Sequence, residues 1–138
     1  MEDDKVYNAL MVISAIAIII ILTLIFTTKT TEEFTELYFE DHQNLPNQIQ
    51  LEKEYTFQFS IHNLENEQTS YNYKISIDYY KSEKLQKTET LFQDSISLEH
   101  NQTATIPYTL ILEDSFESAK IIVETNNQEI HFWVEEEE

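Results

Sequence analysis

The chain has 138 residues, 26 acids against 8 lysines and no arginine, for a net charge of −18, and it contains neither glycine nor cysteine. Without cysteine there is no disulfide, thiolate metal site or cysteine nucleophile, and without glycine no phosphate loop, nucleophile elbow or dinucleotide fingerprint can form. The acidity repels nucleic acid and anionic headgroups, so nucleic-acid binding is excluded, and the length beyond residue 26 suits one domain with one core.

Val6–Phe26 is the first predicted element, a run of 21 residues without charge or proline. At about 1.5 Å per residue it reaches about 30 Å, the hydrocarbon thickness of a bilayer, and is read as a single transmembrane helix contacting membrane lipid. Val6, Leu10, Val12, Ile16, Ile20, Leu24 and Phe26 represent its anchoring surface, and Ser14, Ala15 and Ala17 are small enough to allow close helix packing. A cleavable signal peptide fits less well, because residues 1–5 (MEDDK) are acidic and Thr27–Thr31 offers no small-residue cleavage pattern. A pilin-like helix in a filament core is a third reading, and it lacks the glycine of the usual leader cut. Lys5 and Lys29 flank the run symmetrically and leave orientation open. The short first tail and the sequon Asn101-Gln102-Thr103 favour an exterior C-terminal domain at the cell membrane, with Asn101 as the candidate N-glycosylation site.

Residues 27–33 read as a brief polar stalk, 34–135 as the folded domain and 136–138 as an acidic tail. Beyond residue 26 there are 23 acids and 7 lysines, net −16, and Glu135–Glu138 is expected to be solvated. Phe34–Glu40 predicts a short first strand, closed by polar residues and by Leu45-Pro46. In Glu54–Leu64, Tyr55, Phe57, Phe59 and Ile61 alternate with polar residues, and in Ser70–Tyr80 so do Tyr71, Tyr73, Ile75, Ile77 and Tyr79. Period two means a strand with one buried face, and the short loop between the two runs predicts an antiparallel hairpin.

Lys81–Lys87 reads as a polar loop, followed by two weak strands, Thr88–Gln93 and Ser95–Leu98. Gln102–Leu112 alternates again, with Pro107 marking a sheet edge or a bulge. After the Glu113–Ser118 loop, Ala119–Thr125 and Glu129–Glu135 form a hairpin around Asn126-Asn127, since asparagine tolerates the left-handed backbone of a tight turn. Trp133 opposes Ile130, Phe132 and Val134 in parity; it is either a second-face anchor or an exposed partner contact, and partial burial under a loop is the bland expectation. Seven or eight short strands with no helical period after the anchor predict an all-β, immunoglobulin-like sandwich.

Three stretches carry a resemblance: Phe34-Thr-Glu-Leu-Tyr-Phe39, then Leu45-Pro46, then Tyr55–Glu65 ending Ile-His-Asn-Leu-Glu ahead of Tyr71-Asn-Tyr73. Over Phe34–Ile77 the chain resembles the exterior module of an uncharacterised, domain-of-unknown-function family of archaeal membrane proteins. That group usually carries a glycine before the second strand and several membrane spans, where this chain has Lys53-Glu54 and one span. Thr103–Val134 is similar to adhesion-type sandwich modules of prokaryotic surfaces. The resemblance implies an archaeal envelope protein with an immunoglobulin-like fold and carries over no catalytic residue.

The histidines His42, His62, His100 and His131 show no metal-binding spacing, and His62 and His131 fall on polar strand faces where exposure is expected. Asp41 or Glu129 could join a histidine site only in space, and Glu113-Asp114 could form only a loose calcium loop. No catalytic, cofactor or metal site is predicted, nor a small-molecule substrate. The function expected is a single-pass accessory subunit contacting other membrane or envelope proteins, with a surface-binding or adhesion module as the alternative.

Overall fold

The computed structural model describes residues 2–27 and 33–137, as two compact units, a helix and a β-domain. The helix α1 runs Glu2–Thr27, so most of the expected tail is helical, and Lys5–Phe26 is long and apolar enough to cross a membrane. Its side chains are exposed from Lys5 to Phe26, with no polar face. Ser14 Oγ and Thr23 Oγ1 donate to the carbonyls of Leu10 and Ile19, at 2.9 and 2.7 Å. Both hydroxyls are thus satisfied inside the helix, which makes them tolerable in hydrocarbon. Most of the expected stalk lies outside the described residues.

The β-domain contains eight strands: β1 (Thr35–Phe39), β2 (Gln48–Ile49), β3 (Tyr55–Asn63), β4 (Thr69–Lys81), β5 (Lys84–Leu98), β6 (Thr103–Leu110), β7 (Ser118–Thr125) and β8 (Gln128–Glu136). They form a three-stranded sheet, β1-β3-β6, and a five-stranded sheet, β2-β8-β7-β4-β5. The fold is therefore the expected β-sandwich after a helix. The entering chain serves both sheets, β1 pairing antiparallel with β3 and β2 parallel with β8.

Alternation builds the core. Phe57, Phe59 and Ile61 on one sheet face Tyr71, Tyr73, Ile75, Ile77, Ile121, Val123, Phe132 and Val134 on the other, all buried. Edge-to-face rings stitch the layers together: Phe39 to Phe132 at 5.3 Å, Phe57 to Phe132 at 5.2 Å and Phe59 to Tyr73 at 5.7 Å.

Several expectations are corrected. β3 and β4 do not pair as a hairpin but lie in different sheets, β4 being flanked by β5 and β7. The reversal is made by Asn63, which is fully buried; its Nδ2 donates to the carbonyls of Glu67 and Leu98, both 2.8 Å, while its Oδ1 accepts from Glu65 N–H at 2.9 Å. This local turn redirects the chain across the sandwich, so the two apolar faces meet face to face instead of edge to edge. The two weak strands and part of the supposed loop are one long strand, β5, joined to β4 by a two-residue turn at Ser82 and Glu83 (φ 50° and 62°).

Pro107 sits on β6, an edge strand, as its missing N–H requires. Asn126 holds the β7–β8 turn at φ 45°. Glu135 and Glu136 belong to β8 and are not tail; Glu135 N–H donates to the Asn47 carbonyl and Glu137 N–H to that of Ile49, each at 3.0 Å. Residue 138 lies outside the described residues.

Candidate functional site

The pairing of β4 with β5 slips twice. Ile75 faces Phe92 and Ser76 faces Thr90, which leaves Leu91 unmatched; Tyr79 faces Lys87 and Tyr80 faces Leu85, which leaves Gln86 unmatched. Each extra residue bends β5, and bulges of this kind re-aim side chains at the ends of sheets. The second one lies at the end of the sandwich opposite Thr35, where the chain enters.

There a groove of about 450 Å³ opens between the β4–β5 hairpin and the loop before β7. Tyr79 and Phe116 form its floor, ring centroids 6.2 Å apart. The loop is fixed at both margins. Ser115 Oγ and Phe116 N–H donate to Glu136 Oε2 at 2.8 and 2.7 Å, and Ser82 N–H donates to Glu117 Oε2 at 2.9 Å. Lys87 Nζ lies 2.8 Å from Glu89 and 5.6 Å from the centre of the Tyr79 ring. Burial, reinforced by Glu89, raises the pKa of Tyr79, so its hydroxyl stays neutral at ordinary pH; hydrogen bonding to Glu89 raises that of Lys87.

Beside the groove, on the outer face of the five-stranded sheet, Tyr80 packs on Trp133 with centroids 5.0 Å apart. Trp133 is 48% exposed, so the expected burial under a loop is wrong: among the described residues its ring contact is a tyrosine two strands away, on the same sheet face. Leu85, directly across from Tyr80, is 53% exposed. Two ring pairs thus meet at one end of the domain: Tyr79–Phe116 on the core side, with Phe116 buried, and Tyr80–Trp133 on the outer face, with Trp133 exposed.

The other predicted positions are scattered. Val6, Leu10, Val12, Ile16, Ile20, Leu24 and Phe26 are exposed along α1. Ser14 and Ala17, three residues apart, share a side, whereas Ala15 stands about 100° round the helix and makes no single stripe with them. Asn101 lies in the exposed β5–β6 turn at φ 63°. Its Oδ1 is 3.2 Å from His62 Nε2, and His62 Nδ1 is 2.9 Å from Glu36, so His62 is engaged at both nitrogens rather than freely solvated. His131 is exposed, 3.9 Å from Glu129, and His100 Nδ1 accepts from Asn66 N–H at 3.2 Å. Among the described residues no three His, Asp or Glu side chains cluster as a metal site.

The family described as a domain of unknown function (DUF1616) matches residues 28–135. The chain belongs to this family. No curated protein matches it. Among solved structures the DUF1616 domain is similar to part of a β-glucosidase from Listeria innocua, with TM-score 0.63 and 13% identity over 78% of this chain and 16% of that one. It is also similar to part of the alkylpurine DNA glycosylase AlkC from Pseudomonas fluorescens, with TM-score 0.62 and 14% identity over 75% of this chain and 30% of that one. This chain thus spans less than a third of either enzyme. The CARDB domain of a Pyrococcus furiosus protein, solved with two metal ions, matches end to end: TM-score 0.54 and 14% identity, covering 79% of this chain and 97% of that domain. At such identities these likenesses establish the sandwich fold of the DUF1616 domain and nothing about its chemistry.

Proposed function

We propose that this DUF1616 protein is a single-pass, membrane-anchored accessory subunit whose sandwich lies on the exterior side and contacts other proteins of an envelope or membrane complex. The reading rests on one observation, an uninterrupted apolar helix preceding a small sandwich that leaves Trp133 exposed on its outer face beside Tyr80. Exposed aromatic rings on a small acidic domain are the usual material of protein contacts. The exterior orientation is supported by the exposed sequon turn at Asn101, and an archaeal source by the Phe34–Ile77 resemblance. The groove has a floor of rings, and its loop is held in place by Glu117 and Glu136, which suits holding a partner rather than transforming a substrate.

The test is extraction of native membranes in several mild detergents, followed by native electrophoresis and cross-linking. The chain is expected to migrate in a stable assembly larger than itself. Migration as a lone monomer in all of them would overturn the reading.

A further inference from the structure

An accessory subunit needs a partner, and the accessory-subunit reading, on which this proposal rests, leaves the partner's chemistry open. We propose that Trp133, Tyr80 and Leu85, together with the adjoining Tyr79–Phe116 groove, are the docking surface for a partner-protein segment that carries arginine or lysine beside an aliphatic side chain.

Isolated exposed apolar residues need no explanation, but these are contiguous. Leu85 and Tyr80 stand opposite each other in the β4–β5 pairing, Trp133 packs on Tyr80, and Tyr80 also borders the groove. The groove is preformed, because its loop is tied at both margins to β8 and to the hairpin turn. Its volume of about 450 Å³ holds aliphatic side chains without rearrangement.

The charges around this surface select the partner's sign. Carboxylates of Asp78, Asp114, Glu117, Glu135 and Glu136 border the rings or the groove, against four lysines: Lys81 and Lys84, which no described carboxylate pairs, Lys87 in the groove wall and Lys120 across from Trp133. Lys87 and Lys120 are each matched by a further carboxylate, Glu89 at 2.8 Å and Glu129 at 3.5 Å, so the surface keeps an excess of negative charge; Lys74, farther off, is matched by Glu124 at 2.9 Å. With 23 acids against 7 lysines beyond residue 26, a second copy of this chain and anionic ligands are repelled, while a cationic segment is steered in. Of the aromatic rings, tryptophan binds a cation best, and a guanidinium can also stack on it.

Trp133 is the chain's single tryptophan, so its emission reports on the surface itself. The full chain in zwitterionic lipid nanodiscs would be titrated with a peptide of repeated Arg-Leu-Ser triplets, with its Glu-Leu-Ser counterpart, and with cellohexaose as a neutral sugar. The arginine peptide alone is expected to shift the emission, and added salt to weaken it. By calorimetry, Trp133→Ala and Tyr80→Ala are expected to weaken binding about tenfold or more, whereas Trp133→Phe retains most of it. The combined Glu36→Gln and Glu40→Gln change on the other sheet should alter it less than about twofold if attraction is local.

Circular dichroism checks folding, and Trp133→Phe and Tyr80→Phe keep the comparison open should an alanine variant unfold. No binding of the arginine peptide, equal losses from both sheets, or a response to the sugar instead would overturn the proposal. A native assembly that survives Trp133→Ala would overturn it too, while leaving the accessory role standing.

Discussion

The outer faces of the two sheets are built from the same alternating pattern and end in different states. On the three-stranded sheet the outward side chains satisfy one another at short range. Ser60, fully buried, donates to Glu40 Oε1 at 2.6 Å and lies 2.7 Å from the Thr105 hydroxyl, Thr56 meets Thr109 at 3.2 Å, and His62 bridges Glu36 and Asn101. None of the strand lysines is on that sheet; Lys74, Lys81, Lys84, Lys87 and Lys120 are all on the five-stranded one, whose outer face mixes ion pairs with the Tyr80–Trp133 rings. Burial of one face is what the fold demands of both sheets. The difference between their other faces is therefore free to carry function.

That comparison can be broken at the core the sheets share. Phe59 is fully buried and meets Tyr73 edge-to-face across the layers, so Phe59→Ala should cost about 3–5 kcal/mol, read as a lost or strongly lowered urea midpoint in the detergent-solubilised chain. Asn63→Ala leaves the carbonyls of Glu67 and Leu98 and the Glu65 N–H without their side-chain partner and should cost about 2–3 kcal/mol by the same measurement. On the self-satisfied face, Ser60→Ala strands the Glu40 carboxylate and the Thr105 hydroxyl, for about 1 kcal/mol or somewhat more. On the outer face of the five-stranded sheet, Trp133→Ala should shift stability by less than about 1 kcal/mol, since half the ring is already in water; under the docking proposal it acts on partner binding instead.

Alkaline titration sharpens the contrast between inside and outside. Burial raises the pKa of Tyr73, Tyr79 and Tyr108 above the ordinary phenol value. The folded state therefore holds these protons more tightly than the unfolded chain. Their contribution is complete below about pH 10 and is lost as pH rises through the folded values, so thermal midpoints should fall above that pH and stay flat just below it.

Much of the domain was legible in the sequence because alternation reports burial directly. Tyr55–Ile61, Tyr71–Tyr79 and the Asn126 hairpin come out where the pattern places them. Alternation does not report pairing, however: β3 and β4 each show one apolar face, and such faces can meet side by side or across a core. Only the turn geometry of Asn63 decides, and its three bonds involve residues up to 35 positions away. β5 was blurred by its two bulges, since an unmatched Leu91 or Gln86 flips the parity of every later residue in the strand. β2 has two residues and no period to read. The candidate site escaped for a related reason: the Tyr79-Tyr80 pair, Phe116 and Trp133 come from three separate stretches, and only the β4–β7–β8 pairing brings them to one end. A tyrosine pair just ahead of a glycine-free turn was the available signal.

The parallel pairing of β2 with β8 also sets a timetable. Residues 48–49 leave the ribosome long before residues 135–136, yet the edge of the five-stranded sheet exists only when both are present. That edge of the sheet is therefore completed late, after β8 has emerged. Pairs so far apart in sequence form slowly, and until they form the alternating strands keep their apolar faces open to one another's edges.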